Sequence, residues 1–443
     1  MSELNPGLRL FGKVIPLYLQ ILIALILAVG LGILLGGGNY AAEHKTFIEH
    51  LAIPCELILK ALRALATPLI LLAVLHSFMT ATIPGNAGKK LIWLLLTNTL
   101  AAILIGLLVT NFLQPGKWGE LAHPAAGTDA LSKNFDPWGL LQDLVPEAIF
   151  KPMVDNNVIQ LIIVALSFGI ALRGIKSIQI ERGHTDYVPL EKVISTLFEA
   201  IIRILYWIIA LIPLAVFGIV ARTIALKGFA PFKALAGLVV AVIFALLLQA
   251  CFYLIRVKFR SWVSPVRFLR GSVDALTTAF STASSTATMP VTFRVAIDKI
   301  GLRESSASLG VLVGSNFNND GTALYEATAA LFISQVIGVS LSLPQQIIVV
   351  LTSIFASVGA AGIPEAGLVT MTLVFSAVGL PTEYIAILIT VDWFLDRCRT
   401  AINVMGDITV SALLDGKYPK LKENLLIDEA LASEVPLKLD NGD

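Results

Sequence analysis

Apolar residues dominate Pro16 to Leu35, and comparable runs follow at about 51–80, 90–113, 145–172, 190–224 and 231–257. A helix needs roughly 20 such residues to cross a bilayer, so the pattern predicts six membrane spans in the first 260 residues. No A-x-A-like cleavage site follows the first run, which is read as a retained span rather than a signal peptide. Beyond 264 the pattern changes. Apolar runs are interrupted near their middles by STASSTAT at 281–288, GSNFNNDGT at 314–322, ASVGAAGIPEAG at 356–367 and DWFLDRCRTAINVMGD at 392–407. The arms around the first and third interruptions are too short to span separately, so each predicts a helical hairpin that enters and leaves from one side. The order hairpin, interrupted helix, hairpin, helix is a repeat in two copies, the second inverted, and such broken helices meet where transporters hold substrate and ions.

Composition agrees with a membrane protein: 56% of residues are hydrophobic and 14% charged, with a mean hydropathy of +0.82. The net charge of +1 gives no reason to expect a nucleic-acid partner. With the N-terminus inside, the basic residues of the connecting loops (Lys89 and Lys90; Arg173, Lys176 and Arg182; Arg256 to Arg270) all fall on the cytoplasmic side. The loop around 114–140 carries little positive charge. The three cysteines are too few and too scattered for a disulfide framework, and neither HExxH, a CxxC pair nor a Walker A sequence occurs. An ATP-driven pump is therefore excluded for this chain alone, and no nucleophile with a neighbouring base marks an enzyme; His76 is a lone histidine on an apolar helix.

Asp320, Glu326, Asp392, Asp396, Arg397, Arg399 and Asp407 lie in segments otherwise apolar enough for the membrane, where ionisable groups pair or serve transport. Asp392, Asp396, Arg399, Asn403 and Asp407 follow steps of four, three, four and four, which places them on one helical face. A stripe of ion pairs that only holds helices together would show the same spacing. In TTAFSTASSTATM, residues 277–289, eight of thirteen side chains carry a hydroxyl. Such a segment lines something wet, binds something polar, or packs as a small-residue interface.

The strings DGTALYE (320–326), ASVGAAGIPEAG (356–367) and DRCRTAINVMGD (396–407) resemble the glutamate/neutral amino acid transporters, or dicarboxylate/amino acid:cation symporters, and are closest in motif to the excitatory amino acid members. The resemblance runs from ATPLI at 66–70 through Asp407. It implies an all-α membrane protein with eight transmembrane helices and two re-entrant hairpins, working as a homotrimer by an elevator motion. Divided on that pattern, 1–85 carries the first two spans, 86–140 the third span and its loop, and 141–257 the fourth to sixth. Hairpin one occupies 258–302, the seventh span 303–341, hairpin two 342–382, the eighth span 383–414 and a cytoplasmic tail 415–443.

Carried over by motif, the tips Ser284, Ser285, Thr286 and Ala361, Gly362 would wrap the substrate. Asp396 would hold its ammonium group and Arg399 its side-chain carboxylate, with Thr322, Thr400 and Asn403 completing the polar shell. The pair Asp396 and Arg399 points to an acidic amino acid. For Na⁺ the resemblance implies one site at Gly314, Asn318, Asn403 and Asp407. A second falls at Thr97, Asn98, Asn318 and Asp320, and a third at the carbonyls of Asn316, Ser357, Val358 and Ala360. Two departures bear on these sites: Asn319 stands where the family has Met, and Leu94 where archaeal members have a sodium-site Tyr. Glu326 matches the proton-carrying Glu of the animal members. With Arg397, which they also share, it implies H⁺ coupling and a K⁺ return step.

The expected function is thus secondary active symport of L-glutamate or L-aspartate with Na⁺, in a plasma or bacterial inner membrane, with both termini cytoplasmic and no cofactor beyond the co-transported ions. A dicarboxylate or neutral amino acid carrier, and a ligand-gated anion channel or sensor, are the alternatives.

Overall fold

A computed structural model describes residues 9–10, 13–36, 40–80, 85–119, 145–155, 158–359 and 366–418. Apart from a two-residue antiparallel pairing of Arg9–Leu10 with Lys13–Val14, the described residues in regular structure are helical. The first part of the chain forms α1 (Leu17–Leu35), α2 (Ile53–Thr80), α3 (Gly85–Leu113), α4 (Val158–Glu181), α5 (Tyr187–Ile209), α6 (Ile212–Lys227) and α7 (Ala230–Arg260). Six stretches among the described residues are long and apolar enough to cross a membrane, α5 and α6 counting together as one. Their outer faces are apolar as well: Leu34 is 77% exposed and Phe112 86%. In water such faces would drive aggregation, whereas hydrocarbon is their natural solvent.

Two expected spans differ from their predicted bounds. The fourth, expected at 145–172, is a short turn at Lys151–Val154 and then α4, which runs on to Glu181. The turn closes at Asp155, and residues 156–157 before α4 lie outside the described residues. The fifth, expected as one helix over 190–224, breaks at Ala210–Leu211. Pro213 has no N–H to donate and its ring clashes with the preceding turn, so the helix must restart there. The two halves serve different neighbours, since α5 packs on α2 while α6 also lies along α1.

The second part forms α8 (Pro265–Thr282), α9 (Ser285–Val295), α10 (Asp320–Val336), α11 (Leu343–Gly359), α12 (Ala366–Ala377) and α13 (Ile385–Asp415). The first expected hairpin is the pair α8 and α9, which pack on each other and on α13. Ser264 caps α8 by accepting from the Arg267 N–H, and Ser284 caps α9 by accepting from the Ala287 N–H at 3.1 Å. Residues 304–317 approach α10 through wide helical turns, and the helix is interrupted at Asn318 and Asn319. The arms of the second expected hairpin correspond to α11 and α12, which also pack together. Its tip, 360–365, and the expected tail from 419 onward lie outside the described residues, as does most of the loop around 114–140.

At the centre is α10, surrounded by α3, α7, α11, α12 and α13. Every one of its residues except Gln335 is buried. A helix buried all round is ordinarily apolar all round. This one carries Asp320 at its first turn and Glu326 two turns in, both fully buried.

Candidate functional site

The predicted stripe on α13 is buried along its length. Asp392, Asp396, Arg399, Asn403 and Asp407 are each at most 5% exposed. Arg399 Nη1 donates to Asp392 Oδ1 at 2.8 Å, and its Nη2 donates to Asp396 Oδ1 at 2.7 Å. Thr400 Oγ1 donates to the Asp396 carbonyl at 2.8 Å. Two carboxylates therefore share one guanidinium. Among the described residues Arg399 Nε and Asp392 Oδ2 have no hydrogen-bond partner. Leaving such groups buried costs about 1–3 kcal/mol each.

Asn318 and Asn403 tie the break before α10 to α13. The Asn318 amide donates to the Asn403 carbonyl and to Asp407 Oδ1, both at 3.1 Å. Asn403 Oδ1 accepts from the Gly321 N–H at 2.7 Å, and its amide reaches Asn319 Oδ1 at 3.3 Å and Thr322 Oγ1 at 3.4 Å. Gly314 completes the expected first sodium set. A Cβ there would run into the Asp407 carboxylate, so only glycine allows this approach. Asn318 Oδ1 is buried with no partner among the described residues. Carboxylate, carbonyl and an unbonded amide oxygen make a donor set that suits a hard cation.

The expected third set is crossed by the sequence departure. Asn319 donates its amide to the Ser357 carbonyl at 2.9 Å, where a methionine would leave that carbonyl untouched. Asn316 is half-buried, Val358 lies in the last turn of α11, and Ala360, Ala361 and Gly362 lie outside the described residues.

The side chains of the expected second set bond to partners outside that set. Thr97 donates to the Trp93 and Leu94 carbonyls of its own helix. Thr99, two residues on and so about 200° round the helix, donates to Asp320 Oδ1 at 2.7 Å instead. Tyr253 on α7 donates its hydroxyl to Asp320 Oδ2. Asn98 Oδ1 accepts from the guanidinium of Arg256. Arg256, read from sequence as part of a cytoplasmic loop, belongs to α7, which continues to Arg260.

The hydroxyl-rich segment divides into two uses. Thr277, Thr278, Ser281 and Thr288 donate to the carbonyl four residues back, which satisfies them within their own helices. Ser284 and Thr286, with Asn316, line a cavity of about 880 Å³ whose far wall includes Arg203 and Trp207 of α5. Ser285 is buried. Arg399 and Asp396 are not among the described residues that line that cavity.

Glu326 and Arg397 do not form a pair. Arg397 Nη1 donates to the Phe280 and Ser281 carbonyls at the end of α8, and its guanidinium lies over the Tyr18 ring. Glu326 accepts from the Thr370 hydroxyl and interacts electrostatically with Arg399. Residues 397 and 399 point to opposite sides of α13, which is why only one can face α10. Glu326 Oε2 has no partner among the described residues.

Sequence reasoning passed over Thr99, Tyr253, Arg256, Thr370 and Tyr325. The signal for part of this set was present: Gln249, Tyr253 and Arg256 are polar interruptions in an apolar helix at steps of four and three.

A bundle with apolar outer faces, broken helices and a buried ionisable core defines a membrane-embedded transport protein. Over residues 17–417 the chain matches the sodium:dicarboxylate symporter family, and it belongs to that family. It is 30% identical to excitatory amino acid transporter 3 of Mus musculus, over 96% of this chain and 91% of the relative. It is also 30% identical to excitatory amino acid transporter 1 of Ambystoma tigrinum, over 86% and 80% of the two chains. Excitatory amino acid transporter 2 of Mus musculus is 30% identical over 91% of this chain and 79% of its own length. The chain is accordingly a transporter and not an enzyme.

Proposed function

We propose that this symporter couples uptake of an acidic amino acid, L-glutamate or L-aspartate, to an inward cation gradient. The observation that carries the reading is the charge of the core. Among the described residues Asp320, Glu326, Asp392, Asp396 and Asp407 are all buried, against one fully buried guanidinium, Arg399. Bringing an anionic substrate into that field is unfavourable unless cations or protons enter with it. Arg399 offers an unbonded Nε–H to an incoming carboxylate. Asp396, which accepts from Arg399, would take the ammonium group. Asn403, Thr322 and Thr400 surround the pair, and Ser284, Ser285, Thr286, Ala361 and Gly362 would close over it from the two hairpin tips. Sodium would enter at Gly314, Asn318, Asn403 and Asp407, and a further ion at the carbonyls of Asn316, Ser357, Val358 and Ala360. Glu326 would carry a proton.

In this reading the chain is an elevator of eight spans and two re-entrant hairpins, with the domain limits set out above. It assembles as a homotrimer in a plasma or bacterial inner membrane, with both termini cytoplasmic. A dicarboxylate carrier is the second reading, favoured by the family description. Asp396 weighs against it, because a substrate without an ammonium group would face that carboxylate as a like charge. Radiolabelled uptake into proteoliposomes, with Na⁺, H⁺ and K⁺ gradients imposed separately, tests the proposal. Succinate-type uptake without glutamate or aspartate uptake would overturn it.

A further inference from the structure

One face of α7 points three hydrogen-bond donors at the place where the second sodium set was expected. Gln249, Tyr253 and Arg256 follow steps of four and three, so they share a face, and that helix packs on α3 and α10. Gln249 donates its amide to the Asn98 carbonyl at 3.3 Å, Tyr253 its hydroxyl to Asp320 Oδ2, and Arg256 its guanidinium to Asn98 Oδ1. Thr99 takes Asp320 Oδ1. Each oxygen of Asn98 and Asp320 that a sodium ion would use therefore already accepts a hydrogen bond. Arg256 also interacts electrostatically with Asp320.

Sodium needs oxygen acceptors and a negative surrounding, and this locus supplies donors and a fixed positive charge. What separates this set from the first, whose oxygens also accept hydrogen bonds, is the Arg256 guanidinium on Asn98 Oδ1, and with it in place the residues do not fit the ion. Leu94 removes a further hydroxyl from the same helix face as Asn98, and Thr97 is turned to its own backbone.

We infer that Arg256, bonded to Asn98 beside Asp320, is a tethered cation standing in for one of the family's sodium ions, so this carrier moves one Na⁺ fewer per substrate than a member with that site intact. The charge that other members would import and release at this point travels here with the protein. The driving force for accumulation is correspondingly smaller, while binding at Asp320 no longer depends on the external Na⁺ concentration.

This inference rests on the symporter reading, and the test separates the two. Native protein, Arg256→Leu and Arg256→Lys are reconstituted in proteoliposomes with the membrane potential clamped at zero and the pH equal on both sides. The Na⁺ gradient that just balances a set amino acid gradient gives the coupling ratio. Absence of any gradient-driven amino acid uptake by the native protein would remove the symporter reading and this inference with it. Given uptake, the native ratio is expected to be at most two, and a ratio of three overturns the inference whatever the variants do. Arg256→Leu frees Asn98 Oδ1 and removes the fixed positive charge beside Asp320; an ion is then admitted and the ratio rises by one, so a tenfold Na⁺ gradient supports about tenfold more accumulation than in the native protein. Arg256→Lys keeps the native ratio. Equal ratios in native protein and a folded Arg256→Leu would show that Arg256 is structural only.

Discussion

The Arg399 guanidinium carbon lies 4.0 Å from the centre of the Tyr325 ring. With Asp392 and Asp396 at its edge, this stacking fixes the cation in one plane. Gly367, at the start of α12, approaches the same group so closely that a Cβ there would stand 3.1–3.2 Å from it. The arginine is thus positioned by three different helices, α10, α12 and α13, before any substrate arrives.

Arg399→Cys is expected to abolish acidic amino acid uptake and admit small neutral amino acids. Removing one partner of a buried ion pair costs about 3–5 kcal/mol, so the variant will also lose stability. The double variant Arg399→Cys with Asp392→Asn removes one stranded carboxylate and should recover part of that stability without recovering glutamate or aspartate uptake. Recovery of acidic uptake along with the melting temperature would mean that Arg399 only holds helices together.

Asn319→Met should change cation dependence more than substrate choice. The substitution frees the Ser357 carbonyl and breaks the contact with the Asn403 amide, each worth about 0.5–1.5 kcal/mol as a hydrogen bond. Uptake measured against Na⁺ concentration is expected to be steeper in the variant. Superimposable curves with altered selectivity would place Asn319 at the substrate instead.

The turn between α8 and α9 is made by Ala283, whose φ of 52° and ψ of 30° are left-handed. A non-glycine residue pays roughly 1–2 kcal/mol to sit there, and a β-branched one is disfavoured further. Ala283→Val should therefore lower thermal stability, whereas Ala283→Gly should relieve the cost of about 1–2 kcal/mol that the alanine already carries. Equal melting temperatures in a detergent-stable preparation of both variants would show that the turn adapts freely.

Much of this site was legible because helical spacing is rigid. Steps of four, three, four and four put Asp392 to Asp407 on one face, and the structure keeps them there. What escaped depended on where helices end and how they are rotated. Arg256 was assigned to a loop because a run of basic residues resembles one, yet α7 continues through it and turns its side chain inward. Thr97 and Thr99 are equally plausible by composition, and only the rotation of α3 against α10 selects Thr99. Glu326 and Arg397 matched a known pair of motif positions, but the helix geometry turns Arg397 towards the end of α8. Pro213 was visible in the sequence, and its effect on an apolar run long enough to span was overlooked.

Glu326 supplies the last test. Its carboxyl group accepts from Thr370, interacts with Arg399 and leaves Oε2 without a partner among the described residues. If it takes up a proton with the substrate and releases it inside, inward uptake must run faster with an acidic exterior. One pH unit is worth about 1.4 kcal/mol, so with one proton per cycle each unit of inward gradient raises the limiting accumulation about tenfold. Native protein should acidify the vesicle lumen during uptake. Glu326→Gln keeps an acceptor for Thr370 but cannot ionise, so its uptake should be indifferent to pH and its lumen should not acidify, while exchange of internal for external amino acid continues. Equal pH dependence in native and variant protein would make Glu326 a structural acceptor for Thr370, and the movable charge would then have to be sought elsewhere in the core.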